Sequence, residues 1–253
     1  MTSAQPTAAV LLIGDEILSG RTKDKNLGFI ADYMTALGID LREARLVPDV
    51  EEEIVAALNA LRHRYSYVFT TGGIGPTHDD ITADAVAKAF GAEIHHDPQA
   101  VEILLAYFKE MGREPNEARM RMARMPKGAT LIDNPVSKAP GFQMGNVFVM
   151  AGVPKIMNAM MDDVAKRLTR GVPMLSRQIE FRGGEGDAAK PLGEIQKACP
   201  SVVIGSYPFQ APDGFATNLV LRSRDAVALE DAYKAVCRMA QELTEQGKAR
   251  GWA

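Results

Sequence analysis

The residues best able to do chemistry gather in one stretch, Thr70-Thr-Gly-Gly-Ile-Gly-Pro-Thr-His-Asp-Asp-Ile-Thr82, between a strand-like run and a helical one. Three glycines in four positions, Gly72, Gly73 and Gly75, let the backbone come close to a ligand and turn its amides inward. With Thr71 and Ile74 they form a loop suited to phosphate, because the helix that follows adds its positive N-terminal end. It is not a P-loop, since no Gly-Lys-Ser/Thr follows at the required distance. Asp79 and Asp80 stand at the start of that helix. Acids there favour the macrodipole by about 0.3–1 kcal/mol each, yet two carboxylates beside a polyanion would repel it. A divalent cation between carboxylate and phosphate removes the conflict. On the residues alone, both readings stay open. His78 could be a general acid or ligand; a lone histidine in a loop also reads as an incidental hydrogen-bonding group.

A second polar stretch, Gly14-Asp-Glu-Ile-Leu-Ser-Gly20, follows the first strand and is itself followed by Asp24 and Asn26. It reads either as a capping loop before a helix or as part of a site, because it falls at the same sheet edge as the glycine loop. Asp49 points to that edge too and equally suits a turn. Asn134-Pro-Val-Ser-Lys-Ala-Pro-Gly141 and Ala151-Gly-Val-Pro154 are rich in turn residues, and the Gly152 backbone could approach a ligand.

Stepped strands and helices must position these loops. Ala8 to Ile13 is a continuous apolar run, as expected of a parallel strand buried on both faces. Leu27, Ile30, Met34 and Leu37 repeat at helical spacing and Gly38 ends them. A strand (Ile39 to Leu46), a helix (Ile54, Val55, Leu58, Leu61), a strand (Tyr65 to Thr70) and a helix (Ile81, Ala85, Ala89) follow. This rhythm predicts a mostly parallel sheet with helices on both sides. Asp97 to Met111 reads as a helix, and Glu114 to Met125 as a short one. In the latter, Arg119, Arg121 and Arg124 are either solvated or face an anionic ligand or a neighbouring subunit. Asn146 to Ala151 is a further strand, leading into a helix through Pro154. A boundary near Gly171-Val-Pro173 separates a first domain, 1–171, from a small α+β domain, 172–253. The small domain should run strand, helix, strand, strand, helix, with Gly183 to Gly186 a flexible loop.

The 253 residues are 46% hydrophobic and 24% charged, the balance of an ordinary globular protein. A net charge of −3 gives no electrostatic footprint for nucleic acid and no polybasic hold on a membrane. Two cysteines are no disulfide framework, so a reducing cytoplasmic setting is expected. The first residues lack the pattern of a signal peptide, and no apolar run approaches the roughly 20 residues that span a bilayer.

Three segments, Gly14-Asp-Glu-Ile-Leu18, Thr70 to Gly75 with Asp79-Asp-Ile-Thr82, and Ala151-Gly-Val-Pro154, occur in the order seen in MoaB/Mog molybdopterin-binding domains. Over about residues 8 to 171 the chain resembles that family. It looks most like the N-terminal part of CinA-type competence/damage-inducible proteins and the molybdopterin-binding-like domain of FAD synthases. Ile204 to Phe209 extends the likeness more loosely. The resemblance implies an α/β fold: a three-layer domain with a mostly parallel central sheet, followed by the small α+β domain. It implies a pocket for a pterin or nucleotide phosphate, with molybdopterin among the possible ligands, and association into dimers or trimers. Asp80 matches the catalytic aspartate of the adenylyltransferases, and Asp49 a second acidic position. CinA-type members resemble metal-dependent pyrophosphatases acting on ADP-ribose or similar dinucleotides. The CinA-type deamidase domain is absent from this sequence, so deamidation is not expected. Met150-Ala-Gly-Val-Pro stands where a leucine-proline-glycine start is commoner.

The expectation is therefore a metal-assisted pyrophosphate hydrolase. Asp80, with Asp49 or Glu16, would carry Mg²⁺, Mn²⁺ or Co²⁺; Gly14, Asp15, Asn26, Thr82 and Gly152 would line or orient the ligand beside Thr71 to Gly75. The alternatives are a non-catalytic molybdopterin or nucleotide binder, and a molybdopterin adenylyltransferase.

Overall fold

In the computed structural model, which describes residues 5–212 and 214–249, the chain divides into units Met1–Gly171 and Val172–Ala253. The first unit runs β1 (Thr7–Ile13), α1 (Asp15–Leu18), α2 (Asn26–Ala36), β2 (Asp40–Val47), α3 (Glu51–Arg62), β3 (Tyr67–Thr71), α4 (Thr82–Phe90), β4 (Ile94–His96) and α5 (Pro98–Glu110). It continues with α6 (Glu117–Met120), β5 (Arg124–Pro126), β6 (Thr130–Ile132), β7 (Gly141–Met144), β8 (Val147–Met150) and α7 (Pro154–Val164).

The main sheet has the order β2-β1-β3-β8-β7-β6. Its first four strands are parallel and the last two antiparallel. From Ala8 onward every residue of β1 is buried, and successive side chains serve opposite faces. Ala9, Leu11 and Ile13 pack with Ile54, Leu58 and Leu61 of α3, Val86 of α4 and Leu104 of α5. Ala8, Val10 and Leu12 pack with Ile30 and Met34 of α2 and with Met157, Met160 and Met161 of α7. Helices therefore cover both faces, which explains why β1 reads as an unbroken apolar run rather than an alternating one. Phe69 of β3 stacks on Phe148 of β8, centroids 5.5 Å apart, a geometry that adds to burial alone.

Local chemistry sets the helix ends. Asp97 caps α5 by accepting from the Gln99 and Ala100 amides at 3.0 Å each, with Pro98 preset for the first turn. Gly91 closes α4 at φ 64°, a left-handed conformation cheap only for glycine.

One expectation for the first unit fails. Glu114 to Met125 is not one helix: α6 covers four residues, a 3-10 turn takes Arg121–Ala123, and Arg124–Pro126 is strand β5. β5 pairs antiparallel with β4, and Met125 is buried in the core, so tertiary pairing overrides helical propensity. The short strands β4, β6 and β7 hold three or four residues each, too few to carry a period in the sequence.

The second unit comprises β9 (Leu175–Phe181), α8 (Glu185–Ala198), β10 (Val203–Ala211), β11 (Gly214–Ser223) and α9 (Ala226–Ala249). Its sheet is antiparallel, ordered β10-β11-β9. Phe181, Leu219 and Leu221 pack with Leu192 of α8 and with Leu229 and Val236 of α9. Gly183 to Gly186 is not all loop, because Glu185 and Gly186 already belong to α8, with Gly184 at its N-cap. Among the described residues, no helix is long and apolar enough to cross a membrane.

Candidate functional site

Parallel pairing brings the carboxyl ends of β2, β1, β3 and β8 to one edge, the place where open α/β sheets bind ligands. Gly14 follows β1 and its amide donates to the Val47 carbonyl at 3.2 Å; Gly72 follows β3 and donates to the Met150 carbonyl at 3.2 Å. Gly72 and Gly73 have φ of 106° and 65°. A Cβ on Gly72 would strike the Ile13 carbonyl oxygen, and one on Gly73 would strike Thr82 Oγ1. Glycine is required at both positions by conformation and by space. Thr82 is fully buried. Its amide donates to the Gly73 carbonyl and its hydroxyl to the Gly72 carbonyl, each at 3.0 Å. Thr82 thus fastens the glycine loop to the first turn of α4. The amides of Gly73, Ile74 and Gly75 make no hydrogen bond among the described residues.

On the β1–β2 side of this loop lie acids. Asp49 Oδ2 accepts from the Asp15 amide at 2.9 Å. Burial pushes the Asp49 carboxyl above its ordinary value; the Asp15 amide works against this, and the charges of Asp15, Glu16 and Asp79 add to the rise. The Glu16 carboxylate lies over Gly14, where a Cβ would come within 2.6 Å of its Oε2. Among the described residues, however, no three His, Cys, Asp or Glu side chains form a group that could hold a metal ion as they stand.

Asp80 belongs to a different grouping. Its Oδ2 accepts from the Thr77 amide at 2.8 Å and from the Thr77 hydroxyl at 2.5 Å, and it lies over Gly75. With Gly73, Ile74, Gly75, Arg121 and Phe142 it lines a pocket. The acids whose charges bear on Asp49 include Asp79 and not Asp80. The three arginines of the neighbouring segment part company. Arg119 donates to the Glu114 carbonyl at 2.7 Å, Arg124 pairs with Asp84 at 2.6 Å, and Arg121 Nε is buried without a partner.

Asn26 and Gly152 meet next to the loop. Asn26 is 3% exposed, and its Nδ2 donates to the Gly152 carbonyl at 2.8 Å. A Cβ on Gly152 would lie 3.2 Å from Gly72 Cα. Asn26 Oδ1 and Thr71 Oγ1 are both buried without a partner, an arrangement that buried polar groups normally avoid unless water or a ligand completes it. The sequence reading did not single out Thr77, which holds Asp80, and left Arg121 undistinguished from its neighbours. The Thr77-x-x-Asp80 spacing, a turn in which the two ends meet, was the available signal for the first. Asn134 is purely architectural: its side chain donates to Ser137 Oγ and the Ala139 carbonyl and accepts from the Val136 and Ser137 amides.

The profile of the probable molybdopterin binding domain family matches residues 9–170, and that of the FAD synthase middle domain matches residues 173–246. A protein of Pyrobaculum calidifontis is 37% identical over 212 residues, 80% of this chain and 81% of the relative. A CinA-like protein of Citrifermentans bemidjiense is 36% identical over 237 residues, covering 88% of this chain but only 56% of that protein. Among solved structures, the protein CinA of unknown function from Thermoplasma acidophilum matches with a TM-score of 0.60 at 34% identity, over 65% of this chain and 99% of that one.

Proposed function

Since the chain belongs to the probable molybdopterin binding domain family, with CinA-like relatives, we propose that it is a metal-dependent pyrophosphatase acting on a nucleotide diphosphate such as ADP-ribose or FAD. The observation that carries this reading is the glycine loop, with three uncommitted amides, flanked on one side by mutually repelling acids. Amides suit the phosphate and the acids suit a cation; neither group is balanced without the other. The match of residues 173–246 to the FAD synthase middle domain supports a flavin or adenine dinucleotide over a simple phosphate ester.

A divalent ion, Mg²⁺, Mn²⁺ or Co²⁺, would draw on Asp49 and Glu16, whose carboxylates are not gathered into a ready three-ligand group among the described residues; burial first, and then the charges of Asp15, Glu16 and Asp79, raise the Asp49 carboxyl that the ion would relieve. The chemistry such an ion supplies is polarisation of the phosphoryl oxygens and activation of water. The remaining work falls to the chain itself. The amides of Gly73 to Gly75 bind phosphoryl oxygens. Thr77 fixes Asp80 through Oδ2, so its other oxygen can orient a water and accept its proton. Attack on one phosphorus breaks the bridging P–O bond, and the bridging oxygen leaves with the second phosphate. From ADP-ribose the products are AMP and ribose phosphate; from FAD they are AMP and FMN.

The test is cleavage of ADP-ribose, FAD, NAD and ATP with Mg²⁺, Mn²⁺, Co²⁺ or chelator. Metal-dependent release of AMP from a dinucleotide is the expected result, and intact compounds at high protein concentration overturn the proposal. A second reading, binding of molybdopterin or a nucleotide without turnover, is favoured by one observation: among the described residues no three side chains stand ready as a metal site. It predicts tight binding with chelator present and no product. AMP transfer to a pterin, rather than to water, would point instead to adenylyl transfer.

A further inference from the structure

The pocket beside the glycine loop has a polar wall that the hydrolysis reading does not use. Arg121 Nε is buried and unpartnered, and Arg121 lines the same pocket as Gly73, Ile74, Gly75 and Asp80. Its neighbour Arg124 is neutralised by Asp84, and Asp80 is tied to Thr77. Arg121 therefore keeps a buried Nε donor with no ion pair among the described residues, in a lining where the Asp84 carboxylate is taken by Arg124 and the Asp80 carboxylate remains. The Gly73, Ile74 and Gly75 amides facing the same loop are likewise uncommitted. A buried arginine donor without an acceptor, beside half-buried glycine-loop amides that make no hydrogen bond among the described residues, forms a site able to receive an anion's oxygens.

We propose that Arg121 is an anion-binding residue of this pocket, its Nε–H and the glycine-loop amides together holding a phosphoryl group of the ligand. This rests on the reading of the glycine loop as a phosphate site and deepens it. The acids around Asp49 and the guanidinium of Arg121 divide the loop's surroundings into a side suited to a cation and a side suited to a bare phosphate. The ligand class that follows is one with at least two linked phosphates, one free to meet Arg121 directly. A nucleoside has nothing to offer Arg121 and gains nothing from it.

The experiment is calorimetric titration of the full chain with inorganic pyrophosphate, ADP and adenosine, with chelator present so that no cleavage occurs. The wild type should bind pyrophosphate and ADP. Arg121→Gln should weaken both by about 10- to 100-fold, the size of a lost charge-assisted hydrogen bond, and leave adenosine unchanged. Arg121→Lys keeps the charge without the Nε donor and should recover only part of the affinity; it carries the test if the glutamine variant fails to fold. Arg119→Gln, at the neighbouring arginine bonded to the Glu114 carbonyl, should bind as the wild type does. Unaltered binding by both Arg121 variants, or no binding of either phosphate by the wild type, overturns the proposal. Absence of cleavage with metal would overturn the hydrolase reading alone and leave this binding result standing.

Discussion

Gly73→Ala isolates what the glycine loop demands of its sequence. At φ 65°, an alanine there stays left-handed at a cost of about 1–2 kcal/mol. Its Cβ would also collide with Thr82 Oγ1, turning away the hydroxyl that donates to the Gly72 carbonyl at 3.0 Å. Losing that bond costs about 1 kcal/mol more, so the variant should be destabilised by about 2–3 kcal/mol, or roughly 5–10 °C for a unit of this size. The two contributions can be separated, because only the second passes through Thr82. Thr82→Ala removes both the obstacle and the bond, so Gly73→Ala made in that background should cost about 1 kcal/mol less than in the wild type. The assay is thermal and urea unfolding, followed by circular dichroism, of the wild type, both single variants and the double variant. If the two substitutions add to within about 0.3–0.5 kcal/mol, Thr82 does not fasten the loop and the reasoning is wrong.

Further outcomes follow from the same geometry. Asp80→Asn should lower dinucleotide cleavage by orders of magnitude with an unchanged unfolding temperature; unchanged turnover would remove Asp80 from the reaction. Asp49 has a folded pKa above the ordinary 3.8, so its ionisation opposes folding: the stabilising contribution is full below 3.8 and is lost as pH rises through the raised value. Asp49→Asn should therefore melt higher than the wild type at pH 7, with the gap closing toward pH 4. Added Mg²⁺ or Mn²⁺ should raise the wild type's melting temperature and leave the variant's alone; a gap that ignores both pH and metal would show that Asp49 carries no such burden. Asn134→Ala removes four hydrogen bonds inside one turn and should destabilise by about 2–4 kcal/mol in urea unfolding, without altering ligand affinity.

Much of the first unit was legible because its pattern is dictated by burial. The apolar run at Ala8 to Ile13 and the 3.6-residue spacing at Ile54, Leu58 and Leu61 admit few other readings. The short strands β4, β5, β6 and β7 escaped because they hold too few positions to show a period, and because β4 and β5 exist through pairing with each other; β8, equally short, showed as an unbroken apolar run. Within Glu114 to Met125 only Arg124 and Met125 are extended, too few to interrupt a segment that begins with a helical turn and a 3-10 turn. For the site, sequence located the glycine loop and the acids at one sheet edge, since topology alone brings strand ends together. It could not assign Asp79 and Asp80 to different neighbours. Adjacent residues in a turn point in directions that only the backbone fixes, and a hydroxyl two or three residues away decides which carboxylate is held.

Because β1 feeds one core with Ala9, Leu11 and Ile13 and the other with Ala8, Val10 and Leu12, its two sets of side chains are almost interchangeable in size and polarity. A strand buried on one face only is held in register by the cost of exposing its apolar half; this one has no such penalty to hold it. The information that fixes its alignment must sit at its ends. At the start, Thr7 and Ser66 exchange amide-to-hydroxyl bonds of 3.2 and 3.4 Å. At the finish, the Gly14 amide meets the Val47 carbonyl and Gly72 packs against the Ile13 carbonyl. The glycines that open the ligand-binding edge are also the index marks of the sheet. A change at Gly14 or Gly72 should therefore be felt as misalignment during folding, in mixed or slowly exchanging conformers, before it is felt as a lost ligand contact.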